Sequence, residues 1–385
     1  MRTLGEKVAI LVLSTYLLAA VHAADPTKTD SSTPPSISGM TLAWSDEFNV
    51  DGKPDTKNWK YETGFVRNQE LQWYQSGNAS CKGGALIIEG RKEQVTNPNY
   101  LSGSTDWKRN RQYASYTSAS INTSGLQSWK FGHFEIRSRI NTQKGSWPAI
   151  WTLGNSGEWP SNGEIDIMEF YLVSNTPSIL ANFAWGTSTR WVAQWDGASK
   201  PLSTFLAKDS KWAEKFHIWS MDWNKDTIRL SLDGELMNET LLSKTLNPDD
   251  GNPFLQNHYL LLNLALGANG GDPSQSTFPI VYEVDYVRVY QKATDIHIAA
   301  RTDNASKTFT LNCRNKQLLI TAPDIISAAT PLSIFNLQGV LITKKIIQPA
   351  ATGNEYSVSL NTLPAGAYTC RLDEPATLPQ LFILR

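Results

Sequence analysis

The stretch Gly163-Glu164-Ile165-Asp166-Ile167-Met168-Glu169-Phe170 puts three carboxylates within six positions of a run whose other residues are β-branched or apolar. That content is typical of a buried strand, where formal charge is disfavoured. The conflict marks a site. Strand side chains alternate between faces, so Glu164 and Asp166 share one face and Ile165 and Ile167 the other. Strict alternation would send Glu169 to the isoleucine face. One extra residue absorbed as a β-bulge at Ile167 or Met168 returns it to the acidic face, and bulges are frequent beside active sites because they re-aim a side chain.

With the bulge, four strand steps of about 3.3 Å separate the Cα atoms of Glu164 and Glu169 by roughly 13 Å, and long side chains leaning together bring the carboxyl tips near about 5 Å. That separation suits a retaining glycosidase, with one carboxylate as nucleophile and one as acid/base. Asp166 between them would hydrogen-bond a neighbour and hold its rotamer. Close like charges raise the pKa of one partner, which keeps one carboxylic acid protonated near neutrality. The same triple also fits metal ligation by hard oxygens, or a solvated strand face.

Gly-Glu-Ile-Asp-Ile-Met-Glu resembles the active-site signature of glycoside hydrolase family 16, in the bulged version of its laminarinase-like members. The resemblance runs from about Thr41 to Lys292. It includes Trp44-Ser-Asp-Glu-Phe48, Glu70-Leu-Gln-Trp-Tyr74, Tyr116-Thr-Ser-Ala119, Gly132-His-Phe-Glu135, Trp147-Pro-Ala-Ile-Trp151, Leu261-Leu-Asn-Leu-Ala-Leu-Gly267 and Val284-Asp-Tyr-Val-Arg-Val-Tyr290, in the family's order and spacing. It implies Glu164 as nucleophile, Asp166 as assisting acid and Glu169 as general acid/base. It also implies a β-jelly-roll sandwich of two curved antiparallel sheets with the substrate in a long cleft across one of them. No cofactor is required by the resemblance. A structural calcium is implied at Glu47, the Gly90 backbone and Asp285, and calcium's preference for oxygen ligands suits the two acids.

The formal net charge of -1 makes no electrostatic case for nucleic acid. A neutral polysaccharide or glycan is compatible with it, and a monomer is expected. At 385 residues the chain has room for two domains and a targeting segment. Met1 to Ala24 carries Arg2 and Lys7, then an apolar run, then Val21-His22-Ala23-Ala24, and reads as a signal peptide cleaved after Ala23 or Ala24. The run is short for a membrane span and lacks the Cys of a lipoprotein, so the expected location is secreted or cell-surface. Residues 25–39, rich in Ser, Thr and Pro, read as a linker.

From 40 to 293 the chain shows short alternating or apolar runs between turn residues, an all-β sandwich pattern. In Phe134 to Ile140, Phe134, Ile136 and Ile140 would face the core and Glu135, Arg137 and Arg139 would face out. Further strands are expected at Ala85 to Gly90, His217 to Trp223, Thr227 to Leu232, Tyr259 to Gly267 and Tyr282 to Gln291. Leu206 to Lys215 is the one helix expected, and His217 is read as structural.

Sugar rings present apolar C–H faces that stack on aromatics, so the 14 Trp residues need sorting. Trp44, Trp219 and Trp223, in alternating runs, are read as core. Trp147, Trp151 and Trp159 sit just before the acids, where the resemblance implies sugar-stacking residues. Asn68 matches an Asn that in the family contacts sugar hydroxyls. Two departures bear on substrate: Ser120 stands where laminarinase-like members usually carry Arg, and Leu180-Ala-Asn-Phe-Ala-Trp185 replaces their Thr-Val-His-Trp. Asn182, Trp185, Arg190 and Trp191 are accordingly read as substrate-binding, the last two in a stretch, Thr187 to Ser203, that would wall the leaving-group side. A further change, Gly270-Gly-Asp-Pro273 in place of Asn-Trp-Pro-Gly, reshapes one end of the cleft.

After a connector at 294–307, residues 308–385 read as a small β-sandwich module. Ser333-Ile-Phe-Asn-Leu-Gln-Gly-Val340 and Leu360-Asn-Thr-Leu-Pro-Ala-Gly-Ala-Tyr368 resemble the C-terminal sorting domains of the Bacteroidetes type IX secretion route, with a sugar-binding or spacer module as the rival. Three cysteines imply no disulfide framework, although Cys313 and Cys370 share this module and could pair. The expectation is an exported, endo-acting, retaining β-glycoside hydrolase on β-1,3- or mixed-linkage β-glucan. The alternatives are an endo-β-galactosidase on poly-N-acetyllactosamine of mucin or keratan, and a glycan-binding sandwich without catalysis.

Overall fold

A computed structural model describes residues 25–292 and, further on, 310–314, 316–321, 329–336, 341–348, 355–361, 363, 366–372 and 380–384. The expected signal peptide and the connector at 294–307 lie outside the described residues. The chain divides into two compact units, Met1–Ile296 and His297–Arg385.

Fifteen strands of the first unit form its two large sheets: β1 Thr41–Asp46, β2 Lys60–Tyr61, β3 Ala79–Lys82, β4 Ala85–Gly90, β5 Ser120–Asn122, β6 Gly132–Arg139, β7 Ser146–Gly154, β8 Glu164–Val173, β9 Thr176–Gly186, β10 Ala193–Pro201, β11 His217–Trp223, β12 Thr227–Leu232, β13 Glu235–Leu241, β14 His258–Leu266 and β15 Ile280–Gln291. Strands β10-β9-β8-β7-β14-β5-β2 form a seven-stranded sheet. The other runs β13-β12-β11-β6-β15-β4-β3, with β1 pairing β15, and has eight strands. All these pairings are antiparallel. One apolar core takes Ile165, Met168, Phe170, Phe183 and Leu262 from the first sheet and Phe134, Ile136, Trp219, Met221 and Val287 from the second. This is the expected two-sheet sandwich, with each strand giving alternate residues to the shared interior.

The expected bulge is present. Trp151 pairs with Asp166 and Ala149 with Glu169 across β7 and β8, with a register shift between them. Ile167 and Met168 both bury, and Glu169 returns to the face of Glu164 and Asp166. Gly163 leads into β8 at φ +79°, where a Cβ would stand 2.9 Å from Pro253, so a side chain is excluded there.

Three expectations need correction. The helix spans Leu202–Lys208, followed by a 3₁₀ turn at Trp212–Glu214. Asp209 breaks the longer helix by turning extended at φ -150° and accepting the Lys211 amide at 3.0 Å, a side-chain bond that competes with the helical ladder. Residues 25–39 are not a free linker. Arg137, pointing away from the core as expected but only 3 % exposed, donates to the carbonyls of Lys28 at 2.8 Å and Asp25 at 2.9 Å. Phe216 N donates to Pro26 O and Arg288 to Ser32 O, so the segment is strapped over the eight-stranded sheet. The three cysteines are free, and Cys313 and Cys370 are not bonded to each other.

The second unit has a three-stranded sheet of Thr310–Arg314, Gln317–Thr321 and Glu355–Ser359, and a four-stranded one ordered Leu341–Ile347, Thr330–Asn336, Gly366–Leu372, Gln380–Leu384. Its own core includes Leu318, Ile320, Leu332, Ile334, Ile347, Tyr356, Val358 and Cys370.

Candidate active site

A cleft of about 1000 Å³ runs over the seven-stranded sheet. Strand β8 sends Glu164, Asp166, Glu169 and Tyr171 into it. Strand β7 adds Trp147, Ala149, Trp151 and Leu153, and β9 and β10 add Asn182, Trp195 and Gly197. The loop carrying Arg67, Asn68, Gln69 and Glu70 contributes from the far side. Asn68 and Gln69 both take left-handed backbone, at φ 55° and 52°, a sharp turn that Asn tolerates better than most residues.

Each reactive carboxylate is held by an indole. Trp159 Nε1 donates to Glu164 Oε2, and Trp147 Nε1 donates to Glu169 Oε1 at 2.9 Å. Asn182 Nδ2 donates to the other oxygen of Glu169, also at 2.9 Å. Burial raises the pKa of Glu164, against which the Trp159 N–H, the Asp166 carboxyl and the Arg67 charge all favour the anion. Burial also pushes Glu169 up to about 7. The Trp147 and Asn182 donors oppose that shift, and the neighbouring Glu164 charge reinforces it. Asp166, 2 % exposed, is raised well above the carboxylate range by burial and by both glutamates. A protonated Asp166 can donate to Glu164 and so spread the shared charge.

The surroundings thus differ: Glu164 has three neighbours that favour its anion, Glu169 is poised to carry a proton near neutrality, and Asp166, raised by both glutamates, lies between them. Those are the parts of two-step displacement at an anomeric carbon.

The cleft gathers Glu164, Asp166, Glu169, Asn68, Trp147, Trp151, Trp159 and Asn182. Three other expected contacts fall elsewhere. Trp185 pairs with Gln194 on the opposite face of β9 from Ala184 and belongs to the apolar core, because one step along a strand reverses the side chain. Arg190, at the β9–β10 tip, pairs with exposed Glu158 at 2.8 Å, and Trp191 is 53 % exposed beside it. Neither lines the cleft.

Trp151 is present but covered. The Arg67 guanidinium lies 5.0 Å over its ring, and its N–H goes to Asn263 at 2.7 Å. Arg67 also pairs with Glu62, which accepts the Ser120 hydroxyl at 2.6 Å. A guanidinium therefore reaches the cleft from the loop, while position 120 itself carries none. Sequence reasoning missed Arg67, Glu70, Tyr171 and Gly197. Tyr171 was readable as the next residue of Glu169's parity, and it meets Trp147 edge-on at 5.5 Å.

The donors implied for calcium do not fit a dication. Glu47 is engaged by Arg288, at 3.1 Å from Nε and 2.8 Å from Nη2, and Asp285 by Arg137 and by the Asp30 amide at 3.0 Å. These guanidinium groups are 1 % and 4 % exposed, so a metal would have to displace buried cations. Among the described residues no group of three or more His, Cys, Asp or Glu is arranged to hold a metal.

Residues 76–287 match Glycosyl hydrolases family 16. The chain is 34% identical over 268 residues to a beta-glucanase of Rhodothermus marinus, covering 65% of this chain and 85% of that protein. It is 28% identical over 271 residues to a keratan-sulfate endo-1,4-beta-galactosidase of Sphingobacterium multivorum, covering 69% and 58%. A solved structure from work on endo-acting O-glycanases with which human gut microbiota initiate mucin breakdown superposes with TM-score 0.62 at 33% identity, over 70% of this chain and 98% of that one. The laminarinase catalytic domain of Thermotoga maritima superposes with TM-score 0.54 at 32% identity, over 66% and 98%.

Proposed function

Because the chain belongs to glycosyl hydrolases family 16 and is an endo-acting glycosidase, we propose that it cuts internal β-linkages of a β-1,3- or mixed-linkage β-glucan with retention of configuration. The observation that carries this reading is the bulged strand β8, which delivers Glu164, Asp166 and Glu169 to one wall of a cleft with an indole donor on each glutamate. Glu164 attacks the anomeric carbon as the bond to the leaving sugar breaks, and Glu169 passes its proton to the leaving oxygen. A glycosyl ester on Glu164 results. Glu169, now a carboxylate, takes a proton from water, and the hydroxide that forms releases the sugar and restores Glu164.

A second reading, cleavage of galactose-containing glycans such as poly-N-acetyllactosamine of mucin or keratan, draws support from three positions in or beside the cleft. Ser120 and Asn182 replace two expected side chains, and Arg67 lies over the Trp151 ring that a glucan would use as a platform. Incubation with laminarin, mixed-linkage glucan, keratan and mucin O-glycans, with Glu164→Gln as blank, tests both. Oligosaccharides from the first pair alone support the glucan reading, and from the second pair alone the galactan reading. Equal release by the blank, or none by the natural protein, overturns both.

Export completes the proposal, on the Met1 to Ala24 sequence and the likeness of the C-terminal unit to sorting domains. Mass spectrometry of the protein recovered outside the cell should give an N-terminus at Ala24 or Asp25. An intact Met1 there would refute it.

A further inference from the structure

Gly197 has no catalytic chemistry of its own, yet it lines the cleft on edge strand β10. Register places Asp166 opposite Asn182 and Asn182 opposite Gly197, a row running across three strands from the acids to the sheet edge. A Cβ built at 197 would stand 2.7 Å from Asn182 Oδ1, and every other atom within 4 Å also belongs to the Asn182 side chain. The backbone at 197 is outside the left-handed region, so conformation does not require glycine there. What the missing side chain leaves is room for one amide. That amide spends its Nδ2 on Glu169 Oε2.

We infer that Gly197 is a positioning residue for Glu169, acting through Asn182. It lets the Asn182 amide lie in the row and donate to the acid/base. The inference rests on the glycosidase reading of the site. The neighbourhood of Glu169 is otherwise fixed: Glu164, Asp166 and Tyr171 come from its own strand, Trp147 donates from β7, and Arg67 and Glu70 line the same cleft from the facing loop. The atom a new Cβ would meet is the end of a flexible side chain, so the fold should accommodate it by turning Asn182 away. An N–H donor favours the carboxylate over the acid, and losing it makes Glu169 hold its proton to higher pH.

The test compares Gly197→Ala, Asn182→Ala and the double variant, following the Glu169 carboxyl by ¹³C NMR titration and the alkaline limb of kcat/KM on whichever glycan the natural protein cuts. The expected result is an upward move of both readouts by about one pH unit or somewhat less in each single variant. The double variant should match Asn182→Ala with no further move. Removal of the amide also removes the clash, so the double variant keeps the comparison available if Gly197→Ala alone folds poorly. An unmoved Glu169 titration in Gly197→Ala with a raised KM would mean that position 197 only makes room for sugar, and would overturn the inference. So would additive shifts in the double variant. The NMR titration needs no substrate, so an inactive natural protein sinks the glycosidase reading while the Gly197 relation is still decided.

Discussion

Trp159→Phe keeps an aromatic ring beside the nucleophile and removes the one N–H that this indole donates to Glu164 Oε2. A hydrogen bond to a charged group contributes roughly 1.5–3 kcal/mol. At 1.36 kcal/mol per pKa unit that corresponds to about one to two units on Glu164, with the lower end favoured because Asp166 and Arg67 still support the anion. The direction follows from the chemistry. Burial already lifts Glu164 and the indole opposes it, so removing the indole lifts it further. Attack requires the ionised form, so activity appears only as pH rises through this pKa. The acid limb of kcat/KM should therefore move up by about one unit. The alkaline limb, set by Glu169, should stay in place. The assay is initial rates of reducing-end release at subsaturating glycan from about pH 3 to 9, with a melting curve to confirm the fold. An unmoved acid limb, or movement of the alkaline limb alone, would refute the assignment of Glu164 and Glu169 to their roles.

Arg137→Met should strip Asp285 of its buried partner, a change that costs about 3–5 kcal/mol when one charge of a buried pair is removed. At about 2–4 °C per kcal/mol for a unit of this size, calorimetry should show the melting temperature falling by roughly 6–20 °C. Arg137→Met with Asp285→Leu should regain only part of the loss, because no buried charge is left unpaired while the Lys28 and Asp25 carbonyls still lack their donor, and a fall under about 3 °C in the single variant would refute the buried pairing. Arg67→Met should destabilise by a smaller amount, about 1–3 kcal/mol, because both it and Glu62 keep some solvent contact, and Glu62→Leu in the same chain should recover part of it. Since arginines occupy Glu47 and Asp285, neither EDTA nor millimolar calcium should move the melting temperature, and a rise of several degrees with calcium would contradict that pairing.

Local pattern carried the sheet content and the acidic strand, because both depend on neighbours one or two residues apart. Even the bulge was readable, since three acids cannot share a face without it. The side of Trp185 was legible too: β9 pairs with β10 without a bulge, so three steps from Asn182 send Trp185 to the opposite, core face, and reading both as substrate-binding passed over that alternation. Trp147 and Trp159 read as sugar platforms because stacking is what their rings suggest, whereas the structure uses their N–H groups.

Other misses came from contacts between residues far apart in the chain. The Ser-, Thr- and Pro-rich segment looks unable to fold because its side chains bury little. Its backbone carbonyls are what Arg137 and Arg288 capture, more than 100 residues away. Arg67 was passed over beside Asn68 because nothing local says that it will cover Trp151. In the C-terminal unit the strand Leu341–Ile347 carries two lysines, which suit the sheet edge where it lies.

The central claim is that Glu164 carries the sugar between two displacements. It is tested most directly by ¹H NMR of the anomeric protons in the first minutes of cleavage, before mutarotation mixes the products. The account predicts that the β-anomer of the new reducing end appears first and the α-anomer only later by mutarotation. Initial release of the α-anomer would mean that water attacks the linkage in one step, and Glu164 would not be the nucleophile.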